Sequence, residues 1–379
     1  MSDFATLRQS VRNFVEEQVK PVIGAYETRE ETPWALVDQM RALGLFGMLI
    51  PPEWGGLGLS LREYATLMGE IERGCGSFRS MLSIQNSLVG LTLLAHGSED
   101  QKRRYLVPAA KGEILVSFGL SEPDAGSNPA EMTTSAARVD GGWRLNGRKM
   151  WIGNAARAGV MLIFARSGAG SERRGPEITA FLVEPGPGVR TEVMTGKMGL
   201  RAALPSHIDL EDVFVPDASV LGPVGGGLRI ALYSLDHGRL SAAVAGCAVC
   251  DVALELSLVY AQSRRQFGKP VAQHQLVQEL LTDIHVDAQA VRGLLERAIV
   301  LKESGQPFSE AAATAKLFAS EAANRCAYRA VQVHGGRGYL EETGLPRLVR
   351  DARVLTIYEG TSQIMKLVLG RHLTGLSAF

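Results

Sequence analysis

Hydrophobic residues in the first third of the chain follow a helical period. Leu7, Val11, Phe14, Val15 and Val19 share one face, while Arg8, Arg12, Glu16 and Glu17 point away from it. Pro21 and Gly24 are expected to interrupt this helix. Pro33 opens a second helix, WALVDQMRALG, which Gly44 can cap. PPEWGGLG, residues 51–58, reads as a loop. Two more helices are expected near Leu61–Arg73 and Phe78–His96. The latter is apolar on nearly every face (Met81, Leu82, Ile84, Leu88, Val89, Leu91, Leu94), which predicts a central, buried helix.

From about residue 113 the period changes to that of strands. GGWRLNGRKMW has turn signals at Asp140-Gly141-Gly142 and Asn146-Gly147. VMLIFAR, ITAFLVEP, VRTEV and HIDLEDVFVP are strand-like, with Gly and Pro between them. After Gly225-Gly226-Gly227 long helices return. Residues 228–262, 271–304 and 309–333 contain no Pro, which suits an up-and-down bundle. The expected fold class is α+β in three parts. An N-terminal α-helical domain covers 1–115, a middle β-barrel or sandwich domain 116–224, and a C-terminal helical bundle 225–379.

Composition narrows the function. The 379 residues carry 40 Lys+Arg and 40 Asp+Glu, so no basic excess points to nucleic acid or an anionic membrane. The N-terminus, MSDFATLRQSVRNF, has neither a signal-peptide nor a transit-peptide pattern, and no uninterrupted apolar stretch reads as a bilayer span. A cytoplasmic protein is expected. Four cysteines are too few for a disulfide framework. Cys247 and Cys250 form a C-x-x-C, but inside a small-residue helical run, where two packed thiols fit better than a redox or metal pair. No G-x-G-x-x-G follows a strand, and Walker A, G-x-S-x-G and H-E-x-x-H are absent, so nicotinamide, kinase, hydrolase and zinc-protease readings lose support.

TIYEGTSQ, Thr356 to Gln363, places a lone carboxylate, Glu359, between an apolar run and a turn-prone one. Val354, Leu355, Ile357 and Tyr358 can desolvate it and raise its proton affinity, as a general base requires. A loop carboxylate with no role is the alternative on these eight residues alone.

Four separated stretches decide between them: GLSEPDAGSNPA (119–130), GRKMWIGNAARAG (147–159), SRRQFGKPVAQHQ (263–275), and AVQVHGGRGYL (330–340) continuing to RDARVLTIYEGTSQI (350–364). In order and spacing they resemble the acyl-CoA dehydrogenase family of flavoproteins over essentially the whole chain. EIERGCGSFRSMLSIQNSL (70–88) and the tail LGRHLTGLSAF (369–379) are most similar to glutaryl-CoA dehydrogenases.

The resemblance implies FAD as cofactor and Glu359 as the base that takes the α-proton of an acyl thioester. Gly360 then leaves room for substrate and flavin, and the Glu359 N–H is one donor to the thioester carbonyl. It implies that Phe118, Leu120 and Ser121 line the flavin, with Ser127 near the substrate and flavin edge and Trp151 packed against the ring system. Gly153 stands where most of the family has Thr or Ser, so a hydroxyl donor near the flavin is missing. Arg264, Gln266 and Phe267 match a segment that reaches the FAD of a neighbouring subunit. Gln332, Gly335 and Gly336 match a turn against the pyrophosphate, and Thr361 and Gln363 match contacts near the adenosine end. A homotetramer built as a dimer of dimers is implied, with electron-transfer flavoprotein as electron acceptor.

For the substrate, Arg79 at the start of an apolar helix must be paired or serve a ligand. By the same resemblance, Arg79, Ser80 and Ser83 hold a distal carboxylate, and Glu72 and Tyr358 are linked to decarboxylation. An Arg79 paired with Glu72 or Asp124 is the alternative. Asp236 and Arg239 match residues facing the thioester, an i,i+3 ion pair being the alternative reading. The expected reaction is α,β-dehydrogenation of a short dicarboxylic acyl thioester such as glutaryl-CoA, giving crotonyl-CoA and CO2. Other readings are a short- or branched-chain acyl-CoA, an acyl-carrier-protein thioester, an acyl thioester oxidase, or a helical scaffold that has lost catalysis.

Overall fold

The computed structural model describes residues 4–171 and 175–377. The N-terminal helix buries Val11, Phe14, Val15, Val19 and Ile23, the face that the periodicity selects. Pro21 and Gly24 do not break it. The helix Phe4–Phe14 widens into a π turn at Val15–Val19 and continues as Lys20–Arg29, with Pro21 at the start of the renewed α segment, where its missing N–H is tolerated. Arg8 and Arg12 clamp Glu70 of the helix Leu61–Gly74, which opens on a Ser60–Glu63 capping box. After Cys75 the central helix runs Gly76–Ser83, passes through a π turn at Ile84–Gly90 and ends as Leu91–His96. Ser87 and Thr92 donate back to the carbonyls of Ser83 and Leu88 along this turn.

The middle region holds strands β1 (Leu115–Gly119), β2 (Ser135–Val139), β3 (Gly142–Ile152), β4 (Ala158–Ser171), β5 (Gly175–Val183), β6 (Val189–Val193), β7 (Ser206–Pro216) and β8 (Val220–Leu221). Among the described residues they form one sheet in the order β6-β7-β3-β2-β4-β5-β8, with β1 parallel to β4. Asp140-Gly141 makes the β2–β3 turn. Asn146-Gly147 makes no turn. There β3 runs on with a register shift against β7, and the Asn146 side chain accepts from the Asp212 N–H at 2.8 Å, so tertiary pairing overrides the turn signal. On β4, Val160, Leu162 and Phe164 face one core cluster and Met161, Ile163 and Ala165 face another, so the strand is buried on both sides.

Three long helices follow, Gly227–Ser263, Gln275–Glu303 and Ser309–His334, and Ser362–Thr374 closes the chain. A window of Gly227–Ser263 is apolar enough by composition to cross a membrane, against the sequence expectation, but 61% of it is buried inside the protein, as in a core helix. Small residues let this helix touch Ser309–His334 backbone to backbone: a Cβ on Gly246 would meet the Ala319 carbonyl oxygen at 2.6 Å. Cys247 and Cys250 lie in this helix as free thiols, Cys250 fully buried.

Candidate active site

The close approach of those two helices puts Gly238 and Lys316 against the turn Tyr358–Gly360, which links the helix Leu345–Arg353 to the last one. Two successive residues of the turn are left-handed, Glu359 at φ +56° and Gly360 at φ +90°. For a glutamate this backbone is uncommon and persists only where the surroundings hold it. Arg239 Nε reaches the Glu359 carbonyl at 3.5 Å, and Lys316 Nζ donates to the Gly360 carbonyl at 2.5 Å. Thr361 caps the last helix by accepting from the Ile364 N–H.

The Glu359 carboxylate lies flat on Gly238, where a Cβ would stand 2.4 Å from Oε2. The residue as a whole is only half-buried, but Oε2 is shut off from solvent and has no hydrogen-bond partner among the described residues. Burial pushes its pKa up to about 7, and the charges of Arg239, Lys316 and Arg79 oppose a further rise. A carboxylate so placed can take a proton near neutrality without first giving up a hydrogen bond.

Arg79 is 2% exposed. Its Nε donates to Glu72 Oε2 at 2.7 Å and its Nη2 to the Tyr358 hydroxyl at 2.7 Å. Asp124 is not its partner; Glu72 is. Burial alone would lower the Arg79 pKa, but Tyr358 and Glu72 raise it overall, so the guanidinium stays charged. The Tyr358 phenol is pushed up to about 12, chiefly by burial, and stays protonated while its oxygen accepts from Arg79. Ser83 is buried and shares a hydrogen bond with Ser87 at 3.2 Å, while Ser80 is half-buried beside Arg79. Asp236 pairs with Arg239 at 2.7 Å and also accepts from Ser309. The ion pair and the place beside the turn are both present.

On the sheet side, Phe118 stacks edge-on against Phe164 at 5.1 Å, Leu120 is buried, and the Ser121 carbonyl accepts from Met150 N–H at 2.9 Å. Lys149, fully buried, ties this strand end down. Its Nζ bonds Glu122 Oε1 at 2.7 Å and the Leu120 carbonyl at 3.2 Å. Burial works against the Glu122 charge, but Lys149 and the donors on Thr133 and Thr134 outweigh it and hold the carboxyl at about 2. Trp151 sits at φ +65° with 61% of its surface exposed, and Ser127 is exposed. A Cβ at Gly153 would meet Ile84 Cδ1 at 2.4 Å, so Ile84 of the π turn occupies the room a side chain there would need.

Arg264, Gln266 and Phe267 stand apart from Glu359's contacts. They form an exposed hairpin, Arg265–Gln266 against Lys269–Pro270, with Phe267 at its tip, left-handed and 93% exposed. Tyr260 stacks on His334 at 4.3 Å, which brings the hairpin's base beside Gly335 and Gly336. These two glycines are exposed with nothing within 4 Å of an added Cβ, so their backbone is open to approach. Gln332 and Gln363 are exposed. A cleft of about 500 Å³ lined by His96, Gln101, Arg104 and Asp217 contains none of the residues above.

Sequence reasoning missed Gly238, Lys316, Ile84 and the Lys149–Glu122 pair. Lys316 did leave a signal: in AAATAKLFASEAA it is the charge that falls on the face shared by Ala312, Ala319 and Ala323, all fully buried, while Glu321 falls on another.

The chain belongs to the acyl-CoA dehydrogenase family, flavoproteins that oxidise acyl thioesters. The family's N-terminal, middle and C-terminal domain models match residues 2–113, 117–213 and 225–374. The short-chain specific acyl-CoA dehydrogenase of human mitochondria is 38% identical over 368 residues, covering 97% of this chain and 89% of that protein. Butyryl-CoA dehydrogenase of Megasphaera elsdenii superposes with a TM-score of 0.94 at 32% identity, covering 98% of both chains. A glutaryl-CoA dehydrogenase of Mycobacterium smegmatis in complex with FADH2 superposes with a TM-score of 0.93 at 32% identity, covering 100% of this chain and 96% of that one. The enzymes of this family are flavin-dependent oxidoreductases that use FAD. The residues here fit that cofactor: two exposed glycines with open space beside their backbone and a large exposed indole.

Proposed function

We propose that the protein dehydrogenates a short acyl thioester that ends in a carboxylate, of the glutaryl-CoA kind, with Glu359 as the base. The observation that carries this reading is the trio Glu72–Arg79–Tyr358, with Arg79 buried at its centre, set beside an unpartnered Glu359 oxygen. Glu359 removes the α-proton, and its backbone N–H donates to the thioester carbonyl as negative charge gathers there. Bound FAD would supply the acceptor for the β-hydrogen, which leaves as hydride. Arg79 neutralises the distal carboxylate from the head of an apolar helix, helped by Ser80 and Ser83. Loss of that carboxylate as CO2 leaves an electron pair that the protonated Glu359 can quench, giving the crotonyl product.

Phe118, Leu120, Ser121, Ser127 and Trp151 would hold the flavin end of the cofactor, beside Gly153. Gln332, Gly335, Gly336, Thr361 and Gln363 would hold the rest, and Arg264, Gln266 and Phe267 would reach the cofactor of a neighbouring subunit. The 93% exposure of Phe267 supports an assembly in which this tip is covered, a homotetramer being the reading from the family likeness. Electron-transfer flavoprotein is the proposed acceptor.

A second reading is an unsubstituted short-chain acyl-CoA. It is favoured by the Arg79–Glu72 ion pair, which already neutralises the guanidinium, and by the relatives of short-chain and butyryl specificity. An anaerobic panel of glutaryl-, butyryl-, isobutyryl- and succinyl-type thioesters separates the two. The first reading expects fastest flavin bleaching with the glutaryl thioester, accompanied by CO2. Bleaching by the butyryl thioester with none by the glutaryl one would reverse the order.

A further inference from the structure

The described residues include two fully buried lysines, and they are treated differently. Lys149 has a carboxylate in direct contact, Glu122 at 2.7 Å. Among the described residues Lys316 has none: the one side-chain hydrogen bond it makes there goes to the neutral carbonyl of Gly360. A buried ammonium without a contact ion pair is costly, and it persists where something else compensates. The acid that favours its charge most is Glu359, whose carboxylate attracts Lys316 without bonding to it.

We propose that Lys316 is a positioning residue for the base: its ammonium fixes the left-handed Glu359–Gly360 turn through the Gly360 carbonyl and tunes the proton affinity of Glu359 through space. This rests on the reading of Glu359 as base. A direct lysine–carboxylate bond would occupy the lone pair that must receive the substrate proton and would weaken the base; no cation at all would let burial keep it protonated at neutral pH. Lys316 sits between these limits. It holds the turn from the third bundle helix while the carboxylate rests on Gly238 of the first.

The other charged groups around Glu359 have carboxylates of their own. Arg239 exerts the larger pull on Glu359 but pairs with Asp236, and Arg79 pairs with Glu72 and bonds Tyr358. Glu321, the further acid that acts on Lys316, accepts from the Ser362 hydroxyl at 2.6 Å. Lys316 is therefore the cation beside the base whose charge no carboxylate cancels by contact. Burial lowers its own pKa to about 8, so the effect is read below that pH.

The test uses the FAD-loaded enzyme and the variants K316M, K316Q and K316R. Two quantities are followed against pH: single-turnover flavin bleaching by a thioester the wild type accepts, and the Glu359 carboxyl resonance in protein carrying 13C-labelled glutamate, assigned by its absence in E359Q. K316M is expected to move both midpoints up by about one pH unit, with K316R returning them toward wild type and KM changing less than kcat. A folded, flavin-bound K316M whose two midpoints stay in place overturns the proposal. If K316M does not fold, K316Q is judged by the same shift, and loss of the fold in both assigns the lysine to structure alone and equally overturns it. Failure of the underlying reading shows differently: E359Q would then bleach normally, whatever the Lys316 variants do.

Discussion

Glu359 Oε2 and the Cα of Gly238 are packed so closely that no side chain fits between them; a Cβ on Gly238 would stand 2.4 Å from that oxygen and 2.6 Å from the carboxyl carbon. Gly238 is thus the floor on which the carboxylate rests. It lies in the interior of a helix, where glycine is otherwise unfavourable by about 1 kcal/mol relative to alanine.

Gly238→Ala is expected to gain helix propensity and lose turnover. Displacing a reacting group by about 1 Å costs on the order of a hundredfold in rate. Thermal melting and FAD content should stay near wild type while bleaching falls by about that factor. Unchanged turnover in the alanine variant would mean that the carboxylate works from another position.

The pH dependence follows from Glu359's raised pKa. If Glu359 is the base, as proposed, it acts when ionised, so bleaching should fall below about pH 7, tenfold per pH unit. Stability runs the other way. Between the ordinary value of 4.5 and about 7 the folded state binds more protons than the unfolded one, so this residue's contribution to stability falls as pH rises through that window. E359Q should therefore melt higher than wild type at pH 8, with the difference shrinking toward pH 4.5. Differential scanning calorimetry at the two pH values measures it.

Glu122→Gln should strip Lys149 of its counter-charge while leaving it buried. Breaking such a pair from one side costs about 3–5 kcal/mol, whereas Glu122→Gln with Lys149→Met should recover much of the loss. Glu122's depressed pKa adds a pH signature: its contribution is present above 4.5 and disappears as pH falls toward about 2. The lowered pKa of Lys149, about 8, is set first by burial and marks the unfavourable half of the same pair. Denaturant midpoints of the single and double variants decide the matter.

Arg79→Met alone would strand Glu72, so the informative variant is Arg79→Met with Glu72→Gln. It should reduce kcat/KM for a glutaryl-type thioester by about a hundredfold or more, the usual scale for a lost buried charge contact, and spare a butyryl-type one. Equal losses on both thioesters would remove the carboxylate pocket from the account.

The parts of the molecule legible from sequence are those written in local periodicity. The buried face of the first helix, the apolar central helix and the proline-free bundle helices all match the pattern of the chain. Misreadings fall where distant partners decide. Pro21 reads as a break, but it follows a π turn packed against the helix Leu61–Gly74, and Asn146-Gly147 reads as a turn until β7 pairs with it. Glu359 stands out because apolar neighbours flank it in the chain. Gly238 and Lys316 act on it from 121 and 43 positions away, and no local pattern joins glycine, lysine and glutamate before the helices pack.

Tyr358 meets Arg79 across 279 positions of chain. On the proposed reading, the choice of acyl group is inscribed near the N-terminus and the power to oxidise it near the C-terminus, joined by one phenol. Exchange of the segment around Gly76–Ser83 among relatives would then swap appetite for one fuel or another while the oxidising machinery passed on intact.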